Sequence, residues 1–308
     1  MRRLTTPWLL LLASCGAHIS NDPAALGADA GVPLDAAAPG VDAPATPPDA
    51  APLGPWSTPA TVTVAATTAV EDDVTLSSNA LEMVYAITDA NSGKKDLYYT
   101  SRTAIGAPWS TPPSKLPFDT AASEETPRFS VDDKTLYFAS DRTTAGNLDI
   151  WAVSHTAGGT TPWGKAALLT PFNTDLTEKW LSPCSDGHYV IVQAASGGDS
   201  HLFEGKLGGA APVAIDALNA TTGSDTGAFL TPDCLTLYFA SFRATPEKIF
   251  VAQRATVNAP WGMPAPVDTF KIPGGNGNQE DPWLSPDGRT FVFASDAAGT
   301  KDVYISTR

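Results

Sequence analysis

The chain has 308 residues, of which 43% are hydrophobic, and carries 19 Lys and Arg against 33 Asp and Glu, a formal net charge of −14. That balance lacks the basic stripe that a nucleic-acid backbone demands, so nucleic acid is excluded as a partner. An acidic surface is also a common route to solubility.

In chain order, the N-terminus reads as an export signal. Arg2 and Arg3 form a positive n-region, Trp8 to Leu12 a short apolar core, and small residues follow. The apolar run is too short to stay in a bilayer as a spanning helix. Leu12-Ala13-Ser14-Cys15 resembles a bacterial lipoprotein box. The resemblance implies removal of residues 1–14, lipidation of Cys15 and attachment to the cell envelope, with the outer membrane favoured because Gly16 rather than Asp follows the Cys. Residues 15–54 are mostly Ala, Pro and Gly, with Asp as their only charge and no aromatic residue. Nothing in them offsets the entropy of ordering, so they are expected to be a disordered tether, reaching about 35 Å as a coil.

From Pro55 to Arg308 the sequence repeats. The last unit is the cleanest copy: Leu284-Ser285-Pro286-Asp287-Gly288, then Phe291-Val292-Phe293-Ala294-Ser295-Asp296, then Asp302-Val303-Tyr304-Ile305. An Asp-Gly pair between apolar runs predicts a hairpin with a two-residue type I′ turn. Earlier copies begin at Leu76-Ser77, Phe129-Ser130, Leu181-Ser182 and Leu230-Thr231, and each is followed by a third apolar run. Pro-Trp pairs at Trp56, Trp109, Trp163 and Trp261 mark a fourth element between units, with Ala211 to Ile215 filling the one place where the Trp is missing. Five units of four short strands predict an all-β, five-bladed β-propeller over residues 55–308, expected as a monomer. Because a fourth-type strand comes first and the last unit stops at its third, the N-terminal strand from Trp56 to about Val64 is expected to close the last blade, hiding an open edge.

The pattern in Glu280-Asp281-Pro282-Trp283-Leu284-Ser285-Pro286-Asp287-Gly288 and in Glu125-Thr126-Pro127-Arg128-Phe129-Ser130 resembles the TolB-type, WD-like propeller repeat of bacterial envelope proteins. The resemblance implies the fold and a periplasmic setting. The chain lacks the separate N-terminal α/β domain of TolB itself.

Most repeated residues have structural explanations. Ser-Pro-Asp-Gly builds a turn; Phe291, Phe293, Tyr137 and Tyr238 fill the space between blades; and Asp96, Asp149 and Asp302, which open third strands, are expected to accept backbone N–H bonds in the preceding turn. Acids also stand ahead of each first strand. Since the first strand of a blade is innermost, Asp72, Glu125, Glu178, Asp225 and Glu280 are expected to gather at one mouth of the axial channel. There they would cap strands or form a negative site for a basic protein segment, an amine-bearing glycan or a divalent cation. Cys184 and Cys234 fall in equivalent turns of neighbouring units. A disulfide would need their Cα atoms within about 7 Å, and two separate thiols are the alternative.

Enzyme signatures are missing: there is no His-Glu-x-x-His, no Gly-x-Ser-x-Gly, no P-loop and no EF-hand ladder. His155, His188 and His201 are not at metal-ligand spacing, and no cofactor motif is present. The expected function is therefore a non-enzymatic binding or scaffolding module, tethered by lipid and contacting an envelope protein or glycan. The alternative is a glycan-active hydrolase with carboxylates near the propeller axis.

Overall fold

The computed structural model describes residues 53–158, 162–170, 172–194, 198–270 and 277–308. The export signal, Cys15 and the tether up to residue 52 lie outside the described residues. After β1 (Ala60–Thr61), the first blade is β2 (Val70–Leu76), β3 (Glu82–Thr88), β4 (Lys95–Ser101) and β5 (Ser114–Lys115). The second is β6 (Glu124–Phe129), β7 (Thr135–Thr144), β8 (Asn147–Ser154) and β9 (Ala167–Leu168). The third is β10 (Thr177–Pro183), β11 (His188–Ala194), β12 (Ser200–Lys206) and β13 (Val213–Ala214). The fourth is β14 (Asp225–Leu230), β15 (Thr236–Ser241), β16 (Lys248–Gln253) and β17 (Ala265–Pro266), and the fifth is β18 (Gln279–Leu284), β19 (Thr290–Ser295) and β20 (Asp302–Thr307). Every blade is antiparallel, and β1 completes the fifth by pairing Ala60 with Ile305 and Thr61 with Tyr304. Innermost strands touch in cyclic order β2, β6, β10, β14, β18 and back to β2. This is the expected five-bladed propeller, closed through its first strand.

The hairpin turns differ from expectation. In the Ser285-Pro286-Asp287-Gly288 turn only Gly288 has positive φ, +68°, and its N–H donates to the Ser285 carbonyl at 2.8 Å. A type I′ turn needs two left-handed residues, and proline at 286 is locked near φ −65°. The result is a type I turn with a left-handed residue appended. Ala80, Asp133, Gly187 and Cys234 hold the same left-handed position in the other blades. The Ser285 hydroxyl accepts the Thr290 N–H at 2.9 Å, and Ser77, Ser130 and Thr231 repeat that bond.

The Pro-Trp repeat has a partner that the sequence reading missed. Arg102, Arg254 and Arg308 lie over the rings of Trp109, Trp261 and Trp56 at 4.4, 4.3 and 4.2 Å. Each also donates from Nε to a hairpin carbonyl, of Ala80, Cys234 and Gly288 respectively. In the second blade His155 does the same work against Trp163 and the Asp133 carbonyl. The third blade has neither the cation nor the Trp; Leu207 stands there, and its hairpin is joined to that of the fourth blade by the Cys184–Cys234 disulfide, Cα atoms 5.3 Å apart. Between blades the aromatic fill is as read from the sequence, with Tyr238 against Phe291 at 5.5 Å and Phe293 fully buried.

The third-strand aspartates do not accept turn N–H groups. Asp96 pairs with Lys115 at 2.7 Å, and a carboxylate oxygen of Asp302 is buried without a partner among the described residues. Aspartates near the ends of the second strands take that role: Asp141 accepts from Ser123 and Gly146, Asp296 from Asn278, and Asp89 from Ser92.

Arg128 is the axle of the ring. It is 2% exposed and donates to the carbonyls of Val74, Pro127, Ala228 and Pro282, which belong to four of the five blades. Burial pulls its guanidinium down to about 10, against the nearby negative charges of Asp281 and Asp73.

Deleting residues 55–66 should lower the unfolding midpoint of the whole propeller in a single transition. An unchanged midpoint in thermal unfolding would show that β1 does not close it. Arg128→Met should cost about 3 kcal/mol in urea unfolding, because several carbonyls lose a charged donor at once; a change under about 0.5 kcal/mol would refute the axle.

Candidate functional site

All five innermost strands carry the same irregularity. Their register slips between Asp72 and Thr75, Glu125 and Arg128, Lys179 and Ser182, Thr226 and Phe229, and Glu280 and Trp283. At each slip one residue is left-handed: Asp73, Thr126, Trp180, Gly227 and Asp281. Such backbone costs on the order of 1–3 kcal/mol for a side-chain-bearing residue, and it persists in every blade, so the bulge belongs to the ring itself. Gly227 is needed where it stands, since a Cβ there would meet the Asp281 nitrogen at 2.9 Å.

The bulge decides which acids reach the mouth. Asp72, Glu125 and Glu280 stand just before the left-handed residue, with side chains 5%, 11% and 17% exposed. Glu178 and Asp225 stand one residue earlier and turn away from the group. Glu178 accepts from the N–H and hydroxyl of Thr174, and burial pushes it up to about 6. Asp225 accepts from Ala220 N–H at 2.6 Å and pairs with Arg243 at 2.8 Å. Both cap the loop entering their own blade, as Glu71 and Glu124 do. The places corresponding to Asp72 are filled in the third and fourth blades by Lys179 and Thr226. Of the five acids expected together, three converge.

Nor is the mouth simply negative. Lys95 pairs with Asp73 at 2.6 Å and Asp72 at 2.9 Å, Lys179 with Glu125 at 2.9 Å, and Lys301 with Glu280 at 2.9 Å and Asp72 at 3.6 Å. Burial and the charge of Asp73 push Asp72 up to about 7. Burial acts on Asp73 as well, but Lys95 outweighs it and holds that carboxyl low. Asp281 is sealed: it accepts the Trp180 indole N–H and the Asp73 backbone N–H, both at 2.9 Å. Burial and the charges of Asp73 and Glu280 set it near 7.

A further carboxyl comes from outside the first strands. Glu247 directly precedes β16, where the first and fifth blades place Lys95 and Lys301. Its blade has exchanged acid for hydroxyl on the axis, and the Thr226 hydroxyl donates to Glu247 at 2.8 Å. Asn278 accepts its backbone N–H at 3.0 Å. No cation lies within ion-pair distance of its carboxylate among the described residues. Burial and then the charge of Glu280 push it up to about 8.

Trp180 and Arg128 close the channel beneath this mouth. At the far end Leu76, Phe129, Phe229, Trp283 and Leu284 line a funnel of only about 40 Å³, far below the roughly 300 Å³ of the smaller ligand sites. The chemistry-bearing end is the charged one.

One carboxylate group away from the axis is explained by the repeat. Asp96, Asp119 and Glu124 converge on one another. Asp119 sits where the third and fourth blades have Asn173 and Asn219, which each accept an N–H and donate to a carbonyl of one residue. Asp119 makes only the first of those bonds, to Leu97 N–H at 2.8 Å. Burial and Glu124 push it up to about 7, toward the protonated form that would replace the Asn donor.

No protein-family model matches the chain, and no characterised protein matches it in sequence. Solved structures do match. A TolB from Agrobacterium tumefaciens shares 16% identity over 79% of this chain and 78% of its own, with a TM-score of 0.49. An α-L-arabinofuranosidase from Podospora anserina shares 12% identity over 83% and 96%, with a TM-score of 0.55. An endo-arabinase from Bacteroides thetaiotaomicron shares 13% over 82% and 97%, with a TM-score of 0.53. The two likenesses above 0.5 speak to the fold. They also correct the expectation of a non-enzyme, because several structures that superpose above 0.5 are glycoside hydrolases. Carboxyls contributed by separate blades leave no linear motif to find, so the missing signatures do not bear on this chemistry.

Proposed function

We propose that the protein is a glycan-active hydrolase whose reaction centre is the axial mouth, with Glu247 as proton donor and Glu280 as its ionised partner. The observation that carries this reading is Glu247, a buried mouth carboxyl with a hydroxyl partner and no cation. Glycoside hydrolysis needs one carboxyl protonated, to give its proton to the leaving oxygen, and a second ionised, to attack the anomeric carbon or activate water. Environments that push two neighbouring carboxyls apart in acidity are how such roles are assigned; burial raises Glu280 as well, but it has a cation, Lys301, that pulls it back and that Glu247 lacks. The activities named for the two structural neighbours above make arabinan and α-L-arabinofuranosides the first substrates to assay.

A second reading, a binding module at the same mouth, is favoured by the acid–lysine couples themselves. The same couple, an inner-strand acid with a lysine at the start of the third strand, recurs in the first and fifth blades, and Lys179 of the third blade serves Glu125 of the second; recurrence points to construction more than to chemistry. For either reading we propose an exported protein anchored at the envelope through Cys15, supported by the charged n-region, the apolar core and the Leu-Ala-Ser-Cys box. A disulfide suits such an oxidising compartment. Labelled fatty acid should enter the wild-type protein and not Cys15→Ser; labelling of both, or of neither, would refute the anchor.

Glu247→Gln separates the hydrolase from the module. It should lower kcat by about 10²–10⁴-fold, and wild-type activity should fall as pH rises through about 8. The substitution should affect stability with the opposite sign. A carboxyl raised on folding loses stability as pH climbs from its unfolded value to about 8, so the Gln variant should equal or exceed wild type in melting temperature at pH 9. Full turnover of arabinan by the variant would remove Glu247 from the reaction.

A further inference from the structure

The fourth blade departs from the repeat at one more place on the same face. Two residues beyond the second-strand partner of Asp72 and its equivalents stand Thr88, Asp141, Ala194 and Asp296 in the other blades, and Phe242 here. Asp141 and Asp296 fasten the loop that enters their blade, accepting the N–H of Ser123 at 2.8 Å and of Asn278 at 2.7 Å. In the fourth blade a neighbour takes over part of this work: Asp199, from the third blade, accepts the Gly223 N–H at 3.1 Å. Phe242 is thereby freed from a structural duty, and its side chain is left outside, at 48% exposure.

The ring nevertheless stands on a fixed base. Phe242 N–H donates to the Ser224 carbonyl at 3.0 Å, and Arg243 beside it is tied to Asp225 at 2.8 Å. Gly223 lies directly against it, with a φ of +83°, and a Cβ there would make a tight contact of 3.2 Å with the Phe242 Cβ. Ser241 pairs with Asp225 on one side and Lys248 on the other, which puts Phe242 at the mouth end of the blade. Phe242 and Glu247 are the two ends of one short connection between β15 and β16. An exposed aromatic ring on a rigid base at the rim of a polar mouth is suited to the apolar C–H face of a sugar. Glu247 is met by the Thr226 hydroxyl and Glu280 by Lys301, so nothing at that rim calls for a charged sugar.

We propose that Phe242 is a stacking platform that holds one ring of a neutral carbohydrate at the rim, beside Glu247. The inference rests on the glycan reading of the mouth and supplies its substrate class. A stacked ring is held mainly by buried apolar contact, so the effect belongs in affinity.

The test measures binding of soluble arabinan by affinity electrophoresis, with hydrolysis followed separately. Phe242→Asp installs the residue of two sister blades and should keep the fold, as thermal unfolding will check; Phe242→Trp keeps a stacking surface. The expected result is at least roughly tenfold weaker binding by the Asp variant and near wild-type binding by the Trp variant. Equal binding by wild type and a folded Asp variant overturns the platform, whether or not arabinan is hydrolysed. Binding that depends on Phe242 without any turnover upholds the platform and sinks the hydrolase. Neither binding nor turnover by wild type overturns both.

Discussion

Everything at the axis depends on the five bulged strands and the guanidinium they enclose. Five inner strands leave a gap along the axis that backbone alone does not fill. Each strand is kinked through a left-handed residue at one level, and several carbonyls are thereby left facing the axis. A buried polar group without a partner costs on the order of 1–3 kcal/mol, so a ring of carbonyls requires a donor with many N–H groups. Arg128 supplies five, from a side chain long enough to cross the channel. Its charge also bears on the acids above: Asp281 and Asp73 act on it electrostatically without reaching ion-pair distance. The guanidinium thus satisfies the backbone below while offsetting part of the negative charge above.

The repeat acts as an internal control on interpretation. What recurs in all blades, such as the bulge and the left-handed hairpin residue, is construction. What recurs in four and fails in the fifth shows where stabilisation has been supplied by other means. The cation-over-Trp clamp contributes about 0.5–1 kcal/mol per ring contact, with a hydrogen bond in addition, and the third blade lacks it. The Cys184–Cys234 disulfide stands at that blade's hairpin, and a bridge spanning 50 residues is of the kind typically worth 2–4 kcal/mol. His155 shows a milder substitution. It keeps the carbonyl bond and the Trp contact, and its ring lies 3.4 Å from Glu82. Burial works against its charge, but Glu82 and the Asp133 carbonyl prevail and raise it. Its contribution is therefore full below the ordinary histidine range and is lost as pH rises through its own higher value, whereas the arginine clamps hold throughout.

The propeller was legible because its signals are local: Trp spacing, apolar runs, turn residues, and a fourth-type strand at the wrong end of the chain. The site was legible only in part. The first-strand acids are visible as a class, but a bulge inserts one residue into a period of two, so neighbouring positions in sequence face different ways. Glu178 and Asp225 align with Asp72 by eye and miss it by one residue in space. Lys95, Lys301 and Glu247 were hidden for another reason. They stand at the starts of third strands, over 20 residues after the inner-strand residues they meet, and only the pairing of strands brings them in. Arg128 is one basic residue in an inner strand, and nothing around it in sequence distinguishes an axle from a surface charge.

The composition of the mouth carries the last step. Six carboxyls gather there, from Asp72, Asp73, Glu125, Glu247, Glu280 and Asp281, against Lys95, Lys179, Lys301 and the deeper Arg128. Cations do not suffice to neutralise that number in a site from which water is largely excluded. The remaining charge has to be met by protons, because an uncompensated buried carboxylate is far more costly than a protonated one. The shortage explains why Asp72, Asp281 and Glu247 all lie near 7 or 8 rather than 4. Two of them have other employment: Asp72 is gripped by two lysines, and Asp281 is closed in by Trp180 and the Asp73 backbone. Glu247 has a hydroxyl partner only, and it stands on the blade whose rim also carries Phe242. A proton held there by electrostatic necessity is the one on which the proposed reaction would draw.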